Sequence, residues 1–330
     1  MLSYIARRAL LAIVTLWFVS IVSFFVMILP PGDFVSSYVL KMRQQGTIIG
    51  EETAENMRLR WGLDKPVYVQ YVKWMGRVLQ GDLGNSLQWN NSVLDLIADR
   101  LALTMVLSIA AELLAWAVAL PIGIYSAVRQ YSIGDYIFTV IGFIGVAVPS
   151  FLLALVVMYC GFVWFHMEIG GLFSPDYVAA PWSWDKVWNL IKHLPVPAVV
   201  LGLAGTAQMI RIMRANLLDE LRKPYVITAR AKGLPERRLI LKYPVRVALN
   251  PFASTIGYLL PYIVSGSIII SMVMSLPTVG PMLLEALMRQ DMFLAGGIIL
   301  LLSSLTVIGT FLSDLLLMWI DPRIRVEARQ

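Results

Sequence analysis

The chain has 330 residues, of which 58% are hydrophobic and 15% are charged, with a mean hydropathy of +0.72 and a net charge of +6. Soluble globular chains are about 45–50% apolar and about 25% charged, so a soluble enzyme is excluded. The single cysteine, Cys160, rules out an internal disulfide, and with only two histidines no metal site is expected.

Six apolar runs divide the chain. Each is long enough, at about 1.5 Å per residue, to cross about 30 Å of hydrocarbon as a helix. The sequence therefore predicts an all-α, polytopic membrane protein with six transmembrane helices. The runs are Arg8–Leu29, Leu101–Val128, Tyr136–Trp164, Leu194–Ile212, Pro251–Ser275 and Leu294–Ile320.

The distribution of basic residues indicates the orientation in the membrane. Ten Lys and Arg residues lie between Arg211 and Arg246, and others precede the first run and follow the last. Because short cytoplasmic segments carry the excess of positive charge, both termini are predicted to face the cytoplasm. Membrane insertion alone accounts for this basic charge, so no nucleic-acid partner is expected.

The long outer segment, about Pro30 to Arg100, contains a predicted amphipathic helix. Apolar side chains recur at helical spacing from Tyr68 to Leu79, and Gly81 and Asp82 supply the turn residues that end the helix. Two roles stay open: the helix lies on the bilayer or caps the bundle, or it docks a protein that delivers the substrate. The candidate docking residues are Tyr68, Tyr71, Trp74 and Asp82.

The inner segment between the fourth and fifth runs is predicted to form two short helices around a corner. Pro224 suits the start of a helix over Tyr225 to Lys232, after which Gly233 can adopt a positive φ. Pro235 suits the first turn of a second, basic helix, where Glu236 is favourable against the helix dipole. A membrane anchor does not need this corner, whereas a surface that grips another cytoplasmic protein does.

Carboxylates inside the membrane leave an ion-driven secondary carrier as a rival function. Glu112 lies in the middle of the second run and Asp314 lies within the last, and intramembrane carboxylates are functional candidates by default. Each also has a structural interpretation, Asp314 in pairing with an arginine and Glu112 in packing between subunits. For Glu112, lining a translocation path and packing between subunits stay equally open, while Ser265 and Ser267 in the fifth run favour close helix approach and are only secondary path candidates.

The inner segment also carries a family resemblance. Tyr225–Arg238, YVITARAKGLPERR, resembles the cytoplasmic coupling loop of binding-protein-dependent ABC importer permeases, specifically the dipeptide/oligopeptide permease family. Where the broader importer pattern has Glu-Ala-Ala, this chain has Ile227, Thr228 and Ala229, so a glutamate contact is not carried over. Further similar stretches follow in the family's order: Leu63-Asp64 with Pro66, Gly81-Asp82-Leu83-Gly84-Asn85-Ser86, Arg100-Leu101 with Thr104, and Asp321-Pro322-Arg323.

The resemblance implies a type I importer permease of a bacterial or archaeal inner membrane, a transport subunit without a catalytic site. It implies residues 1–100 as a first helix with an outer loop, 101–320 as a permease core with a coupling loop at about 223–246, and 321–330 as a cytoplasmic tail. The implied cargo is a di- or oligopeptide, with an oligosaccharide or another small solute as the alternative.

The resemblance also implies partners. These are a homologous second permease, two ATP-binding subunits that hold ATP and Mg, an extracytoplasmic solute-binding protein and membrane lipid. The sequence agrees in that it contains no G-x-x-x-x-G-K-[ST] phosphate loop. The residues implied to couple to the ATP-binding subunits are Tyr225, Thr228, Ala229, Arg230, Ala231, Lys232, Gly233, Leu234, Pro235, Glu236, Arg237 and Arg238.

Overall fold

The structure is a computed structural model, and it describes residues 2–29, 34–44, 46–61, 64–86, 88–166, 169–250, 252 and 268–320. These residues form sixteen α-helices and no β-strand, with one isolated bridge between Asn85 and Ser92. The predicted all-α fold class is therefore confirmed.

Two compact units, each discontinuous in sequence, contain these helices: Met1–Leu103 with Thr278–Phe311, and Thr104–Pro277 with Leu312–Gln330. The fifth and last helices each pass from one unit to the other along the chain. The helices are α1 (Leu2–Ile28), α2 (Phe34–Gln44), α3 (Glu51–Trp61), α4 (Val67–Val78), α5 (Val93–Val128), α6 (Ile133–Ala147), α7 (Ser150–Phe165), α8 (Pro175–Val178), α9 (Trp184–His193), α10 (Pro195–Leu221), α11 (Pro224–Ala231), α12 (Glu236–Lys242), α13 (Pro244–Ala248), α14 (Ile268–Val273), α15 (Val279–Met288) and α16 (Met292–Ile320).

Helix length and apolarity agree with a chain that spans a membrane. Three single helices are long and apolar enough, Ile5–Ile28, Val93–Val128 and Met292–Leu312, and two bent helix pairs raise the number to five among the described residues. The predicted Pro251–Ser275 span lies mostly outside those residues, so the number six stays a prediction, as does the orientation of the termini.

The predicted third span, Tyr136–Trp164, forms two helices rather than one. α6 ends at Ala147, and the next helix begins at Ser150 after a bend of 103°. Pro149 explains the break, because a residue that precedes proline is disfavoured in the helical conformation, and Val148 is accordingly extended, with φ −83° and ψ 125°. Periodicity cannot reveal this break, since both halves are uniformly apolar.

In the first unit, α4 packs on α1 through aromatic rings. Trp74 and Tyr71 lie with ring centroids 5.6 and 5.5 Å from that of Phe24, and the Tyr71 hydroxyl hydrogen-bonds the Ser20 hydroxyl at 2.7 Å. The predicted helix is thus confirmed as α4, but it meets the first membrane helix through Tyr71 and Trp74, while Val72 and Leu79 of the predicted apolar face stay exposed.

In the second unit, small residues let α5 and α10 approach closely. A Cβ atom added to Gly202 would lie 2.8 Å from the Ala111 carbonyl oxygen, and one added to Gly123 would lie 2.6 Å from Met213 Cβ. Ala115 is buried in the same contact. Close backbone approach of this kind is how membrane helices gain packing energy without a hydrophobic driving force. The continuation of α10 beyond this contact supports the candidate functional site.

Candidate functional site

The corner between α11 and α12 forms as the sequence predicts. The first helix ends at Ala231, Gly233 has φ +75°, and the second helix begins after Pro235. The N–H of Leu234 donates to the Ala229 oxygen at 3.4 Å, and the N–H of Gly233 donates to the Arg230 oxygen at 3.0 Å. These two bonds make a Schellman motif, which satisfies the last carbonyls of the first helix.

Each of the two short helices has a buried face. Val226 on α11 and Leu239 on α12 are fully buried, and they belong to one cluster with Met213 and Leu217 of α10. Burial of side chains of this size stabilises the arrangement by about 1.5–3 kcal/mol each. The helix pair is therefore fixed to α10, which continues into the membrane-spanning part of the unit.

An ion pair joins α11 to α12 across the solvent-exposed side of the corner. Arg230 donates to both carboxylate oxygens of Glu236, and its Nε lies 3.0 Å from Oε2. The hydrogen bonds raise the pKa of Arg230 and lower the pKa of Glu236. Because both side chains are half exposed, solvent screens the pair, which adds little to stability. It contributes more to the shape of the surface than to stability.

A second polar contact joins α11 to the end of α10. The Tyr225 hydroxyl donates to Glu220 Oε2 at 2.5 Å. Burial, the larger cause, and this hydrogen bond raise the pKa of Tyr225 to about 12. The phenol therefore stays protonated at neutral pH and holds the first turn of α11 in place.

The solvent-exposed face of this helix pair, opposite its buried face, is basic. Lys232, Arg237 and Arg238 are exposed, and within the described part of the chain none of them forms an ion pair. Thr228 is exposed on the same helix pair, whereas Ala229 is buried beneath it. We call the exposed residues of α11, α12 and their corner the basic face. It can bind a complementary acidic surface, but it carries no arrangement of groups for covalent chemistry.

The predicted docking residues of the outer segment divide into exposed and structural ones. Tyr68 is 71% exposed, whereas Trp74 is only 8% exposed and Tyr71 is hydrogen-bonded to α1. Asp82 Oδ1 accepts a hydrogen bond from the Gly84 N–H at 2.9 Å, which shapes the turn after α4. Of the four residues, Tyr68 presents the most free surface to a partner.

The predicted path residues are only partly described. Glu112 is half buried on α5, next in sequence to Ala111, which packs on α10. Ser265 and Ser267 lie outside the described residues. Among the described residues, no group of three or more His, Cys, Asp or Glu side chains could hold a metal ion.

Two buried polar contacts escaped the sequence analysis. Arg214 on α10 donates to both oxygens of Asp135 on α6, at 2.9 and 2.8 Å. Asp291 accepts from the Ser86 hydroxyl at 2.5 Å and from the Gln88 N–H at 2.8 Å. A local signal existed for each aspartate, because both stand at a helix start where a carboxylate is favourable. Their partners, 79 and 203–205 residues away in sequence, left no local signal.

Comparison with known proteins gives matches along the whole chain. Residues 119–326 match the family described as binding-protein-dependent transport system inner membrane component, and residues 1–108 match its N-terminal family. The oligopeptide transport system permease protein AppB of Bacillus subtilis is 34% identical over 98% of this chain and 99% of its own length. The oligopeptide transport system permease protein OppB of Escherichia coli is 32% identical over 98% of this chain and 100% of its own length. The dipeptide transport system permease protein DppB of Alkalihalophilus pseudofirmus is 32% identical over 98% of this chain and 100% of its own length.

Proposed function

Because the chain belongs to the family of binding-protein-dependent transport system inner membrane components, we propose that its basic face is where separate ATP-binding subunits drive import. A chain of this family is the permease component of an ABC transporter and not itself an enzyme. In the proposed assembly it pairs with a homologous permease and two subunits that bind ATP and Mg. An extracytoplasmic binding protein delivers the solute.

One observation carries this proposal: a rigid corner with one face buried on a membrane helix and the other exposed. A displacement of the corner is transmitted to α10, because Val226 and Leu239 share one buried cluster with Met213 and Leu217 of that helix. Closure of the ATP-binding subunits would then move the part of α10 that follows its 57° bend, Gly205–Leu221, since packed helices transmit hinge and shear motions.

The charge of the basic face indicates the chemistry of its partner. Arg230 is compensated by Glu236, while Lys232, Arg237 and Arg238 leave a net positive surface. A partner with acidic residues around an apolar groove would match it, since complementary potentials fix the register and speed association. Ile227, 57% exposed beside these cations, supplies an apolar contact for the same groove.

We assign a di- or oligopeptide as the transported solute. The named relatives that span almost the whole chain are described as oligopeptide and dipeptide permeases, which supports this assignment. An oligosaccharide or another small solute is the alternative within the same architecture. Glu112 is the described residue proposed to line the path, and Tyr68 is the residue proposed to meet the binding protein, with Asp82 shaping the turn behind it.

Substitution of the corner glycine tests the coupling role. Gly233→Val places a β-branched residue at φ +75°, which costs about 1–3 kcal/mol of backbone strain although a Cβ would meet no atom within 4 Å. Gly81→Val is the matched control, because Gly81 has φ +83° with equally open surroundings in the outer segment. The measurements are co-purification of the ATP-binding subunits and substrate-stimulated ATP hydrolysis in reconstituted vesicles.

We expect Gly233→Val to reduce both quantities while the chain still inserts in the membrane, and Gly81→Val to leave co-purification intact. Arg237→Glu should act in the same direction as Gly233→Val, because it reverses a charge on the basic face. The matched charge reversal on the outer helix, Lys73→Glu, should not change co-purification. Wild-type values of both measurements for Gly233→Val and Arg237→Glu would overturn the coupling role.

A further inference from the structure

A cavity of about 280 Å³ lies between α6 and α10, apart from the basic face. Its walls combine aromatic rings with three charged groups, and it opens beside the turn that leads into α6. The residues that matter below are Tyr131, Asp135, Tyr136, Phe143, Arg211 and Arg214.

The charges in the cavity do not balance. The charge of Arg214 is balanced by the Asp135 carboxylate, which accepts two hydrogen bonds from it. Arg211 stands one helical turn away, with its guanidinium carbon 5.0 Å from the centroid of the Phe143 ring. Within the described part of the chain Arg211 has no carboxylate partner, and its side chain is exposed. The cavity therefore presents one uncompensated cation.

The surroundings of Arg211 are those of a membrane surface. Ile137 and Val140 on α6 are more than half exposed, which is typical of a helix face that meets lipid. The start of α6 follows Arg129 in a short connection, on the side where the positive-inside rule places the cytoplasm. An uncompensated cation beside exposed apolar side chains attracts anions, and at a membrane surface the phosphates of lipid headgroups supply them.

The turn before α6 is built to place an aromatic ring at the mouth of the cavity. Tyr131 adopts φ +63°, unusual for a residue other than glycine, and its N–H donates to Asp135 Oδ2 at 3.0 Å. Its side chain is 69% exposed, and that of Tyr136 is 59% exposed. Tyrosine is enriched at membrane interfaces because its ring is apolar and its hydroxyl can bind headgroups.

We propose that this cavity binds the headgroup of an anionic phospholipid of the cytoplasmic leaflet. The lipid phosphate pairs with the Arg211 guanidinium, which offers several N–H donors in one plane. The Tyr131 and Tyr136 side chains flank the headgroup, and an acyl chain follows the exposed face of α6 along Ile137 and Val140. Asp135 compensates the charge of Arg214, so the selectivity for anionic headgroups rests on Arg211.

Native mass spectrometry of the purified transporter tests this proposal. The complex is extracted from nanodiscs that contain phosphatidylglycerol and phosphatidylcholine, and the retained lipid molecules are counted. Arg211→Gln should reduce phosphatidylglycerol retention about fivefold, the effect of one basic group near an anionic surface, and leave phosphatidylcholine retention unchanged. Arg211→Lys should restore most of the retention. Arg222→Gln, the same change at an exposed arginine outside the cavity, should behave as the wild type.

Three results would overturn the proposal. Equal phosphatidylglycerol retention by the wild type and Arg211→Gln would remove the role of the cation. Displacement of the lipid by millimolar inorganic phosphate would assign the cavity to a soluble anion. Efficient cross-linking of Tyr136→Cys to the second permease subunit would assign it to a subunit interface. None of these readouts depends on transport, so they are separate from the test of the basic face.

Discussion

The inner corner at Gly233 and the outer turn at Gly81 share a backbone conformation and differ in what their polar residues do. In both, a helix ends at a glycine with positive φ whose missing Cβ would meet nothing. After Gly233 the charged residues point into solvent, and Arg237 is exposed. After Gly81 the polar residues serve the local structure: the exposed Asp82 accepts from the Gly84 N–H and shapes the turn, and Ser86 is buried against Asp291.

The difference teaches how to interpret similarity to a family. Both segments resemble the family pattern, but the basic side chains of the inner one are exposed, whereas Trp74 and Ser86 of the outer one are buried. In the outer segment part of the resemblance therefore reflects the packing of α4 on α1 and the turn that follows. Burial, and not the density of a motif, separates a contact surface from a scaffold.

The largest expected effect is on stability, and it separates two aromatic positions of α4, Trp74 and Tyr68. Trp74→Ala should lower the free energy of unfolding by about 3–5 kcal/mol, because the indole is buried against Phe24. Tyr68→Ala, at an exposed position of the same helix, should leave stability unchanged and reduce stimulation of ATP hydrolysis by the binding protein. Thermal unfolding in detergent and reconstituted ATPase assays measure the two effects. Equal loss of stability in both variants would contradict the assignment of Trp74 to the packed side of α4 and of Tyr68 to its exposed side.

A smaller effect on stability is expected from the buried carboxylate of Asp291, which lies just before α16 and binds the residues that follow the outer turn. Asp291→Ala leaves the Ser86 hydroxyl and the Gln88 N–H without their acceptor and should cost about 2–3 kcal/mol. Asp82→Ala, which removes an exposed turn contact, should cost less than about 1 kcal/mol. The shifts of the unfolding midpoint check this order. If the two aspartates proved interchangeable in stability, the structural role assigned to Asp291 would be wrong.

The smallest effect concerns the exposed ion pair of the inner corner. At pH 7, Glu236→Gln should lower the free energy of unfolding by less than about 1 kcal/mol. Because the pKa of Glu236 is lowered from 4.5, its contribution is present above that value and is lost as the pH falls through the folded-state pKa. The difference in unfolding midpoint between wild type and variant should therefore be largest at pH 7 and should shrink as the pH is lowered below 4.5. A difference that persists at the lower pH, or an additional loss in the double variant with Arg230→Gln, would argue against the pair.

The sequence by itself determined the features that depend on local interactions. Apolar run length predicted the long helices α1, α5 and α16, because the bilayer requires about 20 apolar residues per span. Helical spacing predicted α4, and the glycine and prolines of the inner segment predicted the corner at Gly233. In each case the physical cause lies within a few residues: backbone hydrogen bonds from i to i−4, and the φ that a residue can adopt.

The tertiary structure alone decided which side chains meet. The Asp135–Arg214 pair joins residues 79 apart, and the Ser86–Asp291 bond joins residues 205 apart. The single-sequence pattern is the same whether Trp74 faces a binding protein or α1, because an amphipathic helix specifies that one face is covered and not what covers it. That choice depends on how the helices pack, since burial and pairing are properties of residues brought together from distant parts of the chain.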